Sequence, residues 1–169
     1  MNSNTRRGAA LTAVLATAAT SALLFTGVAS ANPTDQPCKA EQLDTTLVAG
    51  SPGAGQRYAS LQFTAKPGNA CKLDGQVAVA LTGAPGVVVE LDGTAPGQAV
   101  YLTQGRFAHV LLHWTGIGAP EQQQRPSSVT VGLPGTNSLE LPWNQGPLDA
   151  FDEAHTLRVG PVQAGPAEA

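Results

Sequence analysis

Charge and aromatic rings are both scarce in this chain: of 169 residues, 12% are charged and 5% aromatic. With 9 Lys plus Arg against 12 Asp plus Glu, it lacks the clustered cations that neutralise phosphates, which excludes a basic nucleic-acid binder. Sustained heptads of Ala, Glu, Lys and Leu are missing too, so a coiled coil or long-helix protein is excluded. Nineteen Gly and 13 Pro interrupt the sequence. Beyond residue 31 no uninterrupted stretch exceeds about a dozen residues, too short for several independent helices. Met1 is the single methionine, and there are two cysteines. What the chain does have is 42% hydrophobic content, enough for a folded domain and more than a disordered one carries.

The first 31 residues read as an export signal. Arg6 and Arg7 form a positive start, and Ala9 to Val28 is apolar or small without a charge. Ala29-Ser30-Ala31 supplies the small-x-small pattern of a cleavage site, so the cut is expected after Ala31. A membrane anchor is the competing reading, but Thr17, Thr20 and Ser21 dilute the stretch and it ends at that site. Arg6-Arg7 also raises twin-arginine export, yet Gly8-Ala9-Ala10 follows where that signal prefers a bulky apolar pair. No Cys lies at the cut, so no lipid anchor is expected there. The remaining 138 residues hold 7 basic and 12 acidic groups, a net charge of −5. They suffice for one domain with a mildly acidic, soluble surface.

Cys38 and Cys71 both lie in the exported part, where an even count reads as a disulfide. A metal or redox site would want Cys-x-x-Cys or nearby His spacing, and neither is present.

Short strands follow one another along the rest of the chain. From Arg57 to Ala65 the residues Ala59, Leu61, Phe63 and Ala65 point one way, and Tyr58, Ser60, Gln62 and Thr64 the other. Val77, Val79 and Leu81 repeat the pattern; Val87 to Leu91 is an apolar run ending at Asp92-Gly93. Val100 and Leu102 precede a turn at Gln104-Gly105, and Phe107 to Trp114 puts Ala108, Val110, Leu112 and Trp114 on one face. Val129 and Val131, Leu139 and Leu141, then Leu157, Val159 and Val162 complete about eight or nine strands with turns every 8–12 residues, as in an antiparallel β-sandwich. One short helix would fit within Leu148 to Ala154.

The run from Gly53 to Gly75 carries Gly-Gln-Arg-Tyr at 55–58, Leu-Gln-Phe-Thr at 61–64 and Cys-Lys-Leu-Asp-Gly at 71–75. It resembles an actinobacterial secreted or lipid-anchored domain of unknown function with a Gly-x-Arg-Tyr, Leu-x-Phe-Thr and Cys-x-Leu-x-Gly signature. Leu102 to Trp114 and Leu157 to Val162 are similar to later strands of that family. The resemblance implies an immunoglobulin-like β-sandwich with the first two cysteines paired. Three positions depart from it. Ala65 stands where Asn is common, Gln76-Val77 where Tyr-Pro is common, and the usual second cysteine pair is absent, leaving Trp114 to Asn144 without that clamp. The family brings no activity, and a fold is not a function.

Candidate chemistry is thin. His109 and His113 are four apart, which on a strand spans about 13 Å, too far to share one ion. Asp149, Asp152, Glu153 and His155 are the densest polar group, yet they lack the Asp-x-Asp-x-Asp-Gly order of a calcium loop and read as a solvated loop. No Gly-x-Ser-x-Gly elbow or His-Glu-x-x-His helix occurs, and Gly50 to Gly55 lacks the Lys-Ser/Thr of a phosphate loop. A serine triad assembled across strands is left open by sequence, since triads are spatial.

The expectation is therefore a non-enzyme without cofactor, metal or catalytic residues. Its parts are a signal peptide (1–31), a lead-in with Cys38 (32–43), a sandwich (44–163) and a flexible tail (164–169). The expected object is a secreted monomer that does not insert in a membrane after cleavage, binds no nucleic acid, and takes an extracellular protein or a cell-wall component as partner. Protein binding or adhesion ranks first, through end loops or a strand edge. Glycan binding ranks second; Trp143, between Pro142 and Asn144, is the candidate ligand contact, unless its ring closes the end of the core. Protease inhibition ranks third, because Gly116 to Pro126 is long enough but Gln122-Gln123-Gln124 reads as flexible.

Overall fold

The computed structural model describes residues 35–93, 95–135, 138–151 and 155–167. The expected signal peptide lies outside the described residues, as do Asp152 and Glu153 of the polar cluster. What is described is nearly all β. In chain order the strands are β1 (Leu43–Ala49), β2 (Gln56–Ala65), β3 (Cys71–Leu73), β4 (Ala78–Thr82), β5 (Val88–Leu91) and β6 (Val100–Leu102). Then come β7 (Phe107–Thr115), β8 (Gln123–Gln124), β9 (Ser128–Gly132), β10 (Ser138–Pro142), β11 (Leu148–Asp149) and β12 (Thr156–Ala164).

Two sheets carry most of the core. The larger has the order β1-β2-β7-β12-β5 and the smaller β10-β9-β4, while β8 pairs with β11 and β3 with β6. The alternation in β2 and β7 sets the first inner face. Ala59 lies opposite Leu112, Leu61 opposite Val110 and Phe63 opposite Ala108, so large rings and chains meet small ones. All six are fully buried, which is how strand faces reach close packing. In the smaller sheet Val131 sits between Val79 and Leu139, and Val129 between Leu81 and Leu141. Both faces join one apolar core, an arrangement that fits the expected immunoglobulin-like sandwich.

One pairing departs from the antiparallel expectation: β5 runs parallel to β12. Parallel neighbours need a long connection, and 64 residues separate the end of β5 from the start of β12, so the geometry is open to them. Four strands were not among those expected. β8 and β11 have two residues each and β3 has three, too short for a periodic signal. In β1 the inward-facing Thr45 breaks the apolar rhythm, and its buried hydroxyl has no partner among the described residues. Leu148-Asp149, where a helix would have fitted, is strand β11.

Cys38 and Cys71 are bonded, with Cα atoms 4.8 Å apart and both residues wholly buried. The lead-in is thereby part of the core. Cys38 N–H donates to Lys72 O at 3.0 Å and Lys72 N–H to Gln36 O at 2.7 Å, laying this segment beside β3.

The stretch without a second disulfide is held by other means. Asp149 is 1% exposed rather than lying in a solvated loop. Its carboxylate accepts from the backbone N–H of Ile117 (3.1 Å) and Gly118 (2.9 Å) and from Gln123 Nε2 (3.0 Å). A buried carboxylate is tolerable only when its lone pairs are satisfied in this way. The same contacts fix the Gly116 to Pro126 loop, where Gln123 and Gln124 pair with β11 instead of moving freely. Trp114 and Trp143 pack ring against ring, centroids 5.1 Å apart at 60°. Their indole N–H groups donate to Pro147 O (3.1 Å) and Gly146 O (2.9 Å) respectively.

Two stability predictions follow from these clamps. Replacing both cysteines (Cys38→Ser, Cys71→Ser) should lower the unfolding free energy by about 3–4 kcal/mol, since the bridge closes a loop of 33 residues; urea melts without reductant read this directly. Asp149→Ala strands two loop amides and should cost about 2–3 kcal/mol. It should also make residues 117–126 the first site of limited proteolysis, and an unchanged cleavage pattern would refute the clamp.

Candidate binding groove

An open concavity lies between β6 and the end of β12. It holds about 720 Å³, within the range of ligand clefts. One wall is Gln98 to Tyr101, the other Val162 to Pro166, and the turn from Gly105 to Phe107 closes one end. That turn is set locally: Gly105 takes φ +78°, and Arg106 N–H donates to Thr103 O at 3.0 Å. Thr64 Oγ1 then donates to Arg106 O at 3.1 Å, tying the turn to β2.

The lining is mixed in chemistry. Tyr101 is 45% exposed, because Val100 and Leu102 on either side turn towards the core and alternation sends its ring out. Phe107 is half-buried beside it. Gln98 and Gln163 present exposed amides from opposite walls. Arg106 is the one charged side chain among the lining residues, with no carboxylate there to neutralise it. In an acidic chain this makes the groove a local cationic spot with aromatic flanks.

Beyond β12 the chain crosses the outer face of the larger sheet. Gly165 N–H donates to Phe107 O at 2.9 Å, Gly165 O meets His109 Nδ1 at 3.1 Å, and Ala167 N–H donates to Gln62 Oε1 at 2.9 Å. Residues 165–167, placed in a flexible tail by the sequence, are thus fastened. His113 stacks on Tyr58 with centroids 4.8 Å apart and planes 8° from parallel, and its Nε2 contacts Gln56 Oε1. Each histidine is engaged locally. Among the described residues no group of three His, Cys, Asp or Glu is placed to hold a metal ion, and Asp149 is already committed to the loop.

Trp143, the candidate ligand contact, is 6% exposed and belongs to the core. Its ring closes the end of the sandwich against Trp114 rather than lying flat at the surface. The groove residues Tyr101, Arg106, Phe107 and Gln163 were not singled out as a site. Parity around Leu102 could have flagged Tyr101 as outward-facing. Nothing in the sequence shows β6 parting from β12, and that separation makes the cleft. No helix among the described residues is long and apolar enough to cross a membrane.

No curated protein and no solved structure matched the chain. The family model described as Domain of unknown function (DUF4232) matches residues 38–163, from the first bridged cysteine to the penultimate residue of β12. This protein belongs to that family.

Proposed function

We propose that the protein is an exported, non-enzymatic binding module that holds an extracellular protein partner in the groove between β6 and β12. The observation that carries this reading is the juxtaposition of an exposed Tyr101, Phe107 and Arg106, with no carboxylate among the described lining residues, in an open cleft of about 720 Å³. Tyr, Phe and Arg are enriched in protein interfaces: Tyr and Arg combine apolar area with a polar or charged handle, and Phe adds a purely apolar ring. Export is supported by Arg6-Arg7, the uncharged Ala9 to Val28 stretch and Ala29-Ser30-Ala31, and a disulfide suits an oxidising compartment.

A second reading, protease inhibition, gains from the loop after β7. Ile117 is 70% exposed on backbone whose amides at 117 and 118 are pinned by Asp149, and inhibitory loops depend on such rigidity. Glycan binding loses its Trp143 anchor to the core and rests on Tyr101 and Phe107 alone.

One capture experiment separates the three. Tagged Asn32–Ala169 is incubated with culture supernatant and with washed wall polysaccharide of the producing organism, alongside a Tyr101→Ala/Arg106→Glu variant and an Ile117→Asp variant. The groove reading expects a protein partner whose retention drops at least about tenfold, or about 1.4 kcal/mol, in the groove variant and is unchanged in Ile117→Asp. Loss confined to Ile117→Asp moves the site to the loop, and groove-dependent retention of polysaccharide alone replaces the partner by a glycan.

A further inference from the structure

The backbone lining the groove has a property that its side chains do not reveal. On β3, Lys72 spends both its N–H and its C=O on Gln36 and Cys38. Backbone groups alternate sides along a strand, so Cys71 and Leu73 are the residues that bond β6, through Leu102 and Val100. Tyr101, opposite Lys72, therefore turns its N–H and C=O away from β3 and towards the groove it lines. The same reasoning applies to the facing wall. Gly165 N–H donates to Phe107 O on β7, and Val162 N–H donates the other way, to Gly75 O. Ala164, in step with Val162, turns its N–H and C=O away from β7 and into the groove. Neither residue has another backbone partner among the described residues.

Two strand edges thus face each other across a gap. The end away from the Gly105–Phe107 turn is fixed by glycine: a Cβ on Gly97 would lie 2.5 Å from Val162 O, and one on Gly75 would lie 1.7 Å from Gly97 O. β5 runs parallel to β12 from Val88 opposite Thr156 to Leu91 opposite Val159, and β6 continues that course past Gly97. A chain entering in the opposite direction would meet both edges in antiparallel sense, the more stable pairing.

Resting on the reading of the groove as a protein-binding site, we infer that its ligand is an extended segment of a partner polypeptide. This segment adds as a short strand between Tyr101 and Ala164, with an acidic side chain beside Arg106 and an apolar one against Tyr101 and Phe107. Strand addition takes its affinity from main-chain hydrogen bonds and its selectivity from alternate side chains. Charge complementarity favours the acidic segment, since Arg106 is the only charge in the lining. As far as Ala167 the chain's own tail lines the cleft without filling it, because Gly165 and Ala167 are bonded to His109 and Gln62 on the outer face.

The test is amide NMR of Asn32–Ala169 with blocked pentapeptides that alternate valine with glutamate, the central residue varied, beside lysine counterparts and versions N-methylated at alternate amides. The glutamate peptides should shift the Tyr101 and Ala164 amides and slow their hydrogen exchange. N-methylation should weaken binding about tenfold, the effect of losing one or two main-chain hydrogen bonds, and Arg106→Glu, an exposed change that leaves the fold intact, should transfer preference to the lysine peptides. Equal affinity for methylated and unmethylated peptides overturns strand addition. So does a panel that leaves both amides unmoved while the groove variant still loses its captured partner; the groove reading then survives alone. Protection of the two amides that rises with protein concentration and without peptide overturns the partner segment in favour of a second copy.

Discussion

Backbone N–H and C=O groups point alternately to the two sides of a strand, so an inner strand needs partners on both, and β12 is where this fold supplies them unevenly. One side is covered by β7 from Arg158 to Ala164, across a register shift between Val159 and Val162. The other side is matched piecemeal, first by β5 as far as Val159 and then by Gly75 at Val162. The chain that provides these partners next leaves β12 to pair with β3. Its departure determines the parallel pairing at β5, the close approach of Gly75 and Gly97, and the groove beside Ala164. Substituting Gly97 would press on Val162 and Pro161, so the narrow end of the cleft depends on a residue with no side chain.

How the protein holds its far end follows from what it lacks. With its one disulfide at Cys38–Cys71, the chain here packs Trp114 on Trp143 and buries Asp149. The two devices differ in kind from a disulfide. A disulfide acts largely through the unfolded state, whereas a ring pair and a three-way carboxylate clamp act in the folded one. They also couple three segments at once, joining the loop after β7, β8 and β11.

Much of the fold was legible because one face of β2 and of β7 is buried, which forces strict alternation at Ala59-Leu61-Phe63 and Ala108-Val110-Leu112. The cysteine pair was legible for the same kind of reason: the count left no other partner. What could not be read was anything that depends on where the chain goes next. Asp149 looked like one of four solvated acidic or imidazole groups, and only the return of the Ile117–Gly118 backbone makes it an internal cap. For Trp143, between Pro142 and Asn144, sequence left both a ligand contact and a ring closing the core open, and the position of Trp114 decides for the core. Tyr101 and Arg106 are unremarkable on their own strands and acquire meaning when Gln163 and Ala164 face them.

The scarcity in the composition bears on how such a protein could recognise anything. With 12% charged and 5% aromatic residues, side-chain chemistry offers few anchors, and the most exposed aromatic ring among the described residues is that of Tyr101. Main-chain groups are supplied by every residue whatever its type. A chain rich in Gly and Pro loses the uninterrupted strands that would pair all of them, and it exposes edges where strands part. The proposed strand addition at Tyr101 and Ala164 uses that property, leaving Arg106 and the two rings only the task of choosing among extended segments. Recognition of this kind leaves almost no motif in a sequence, since its donors and acceptors are common to all sequences and only topology brings them together.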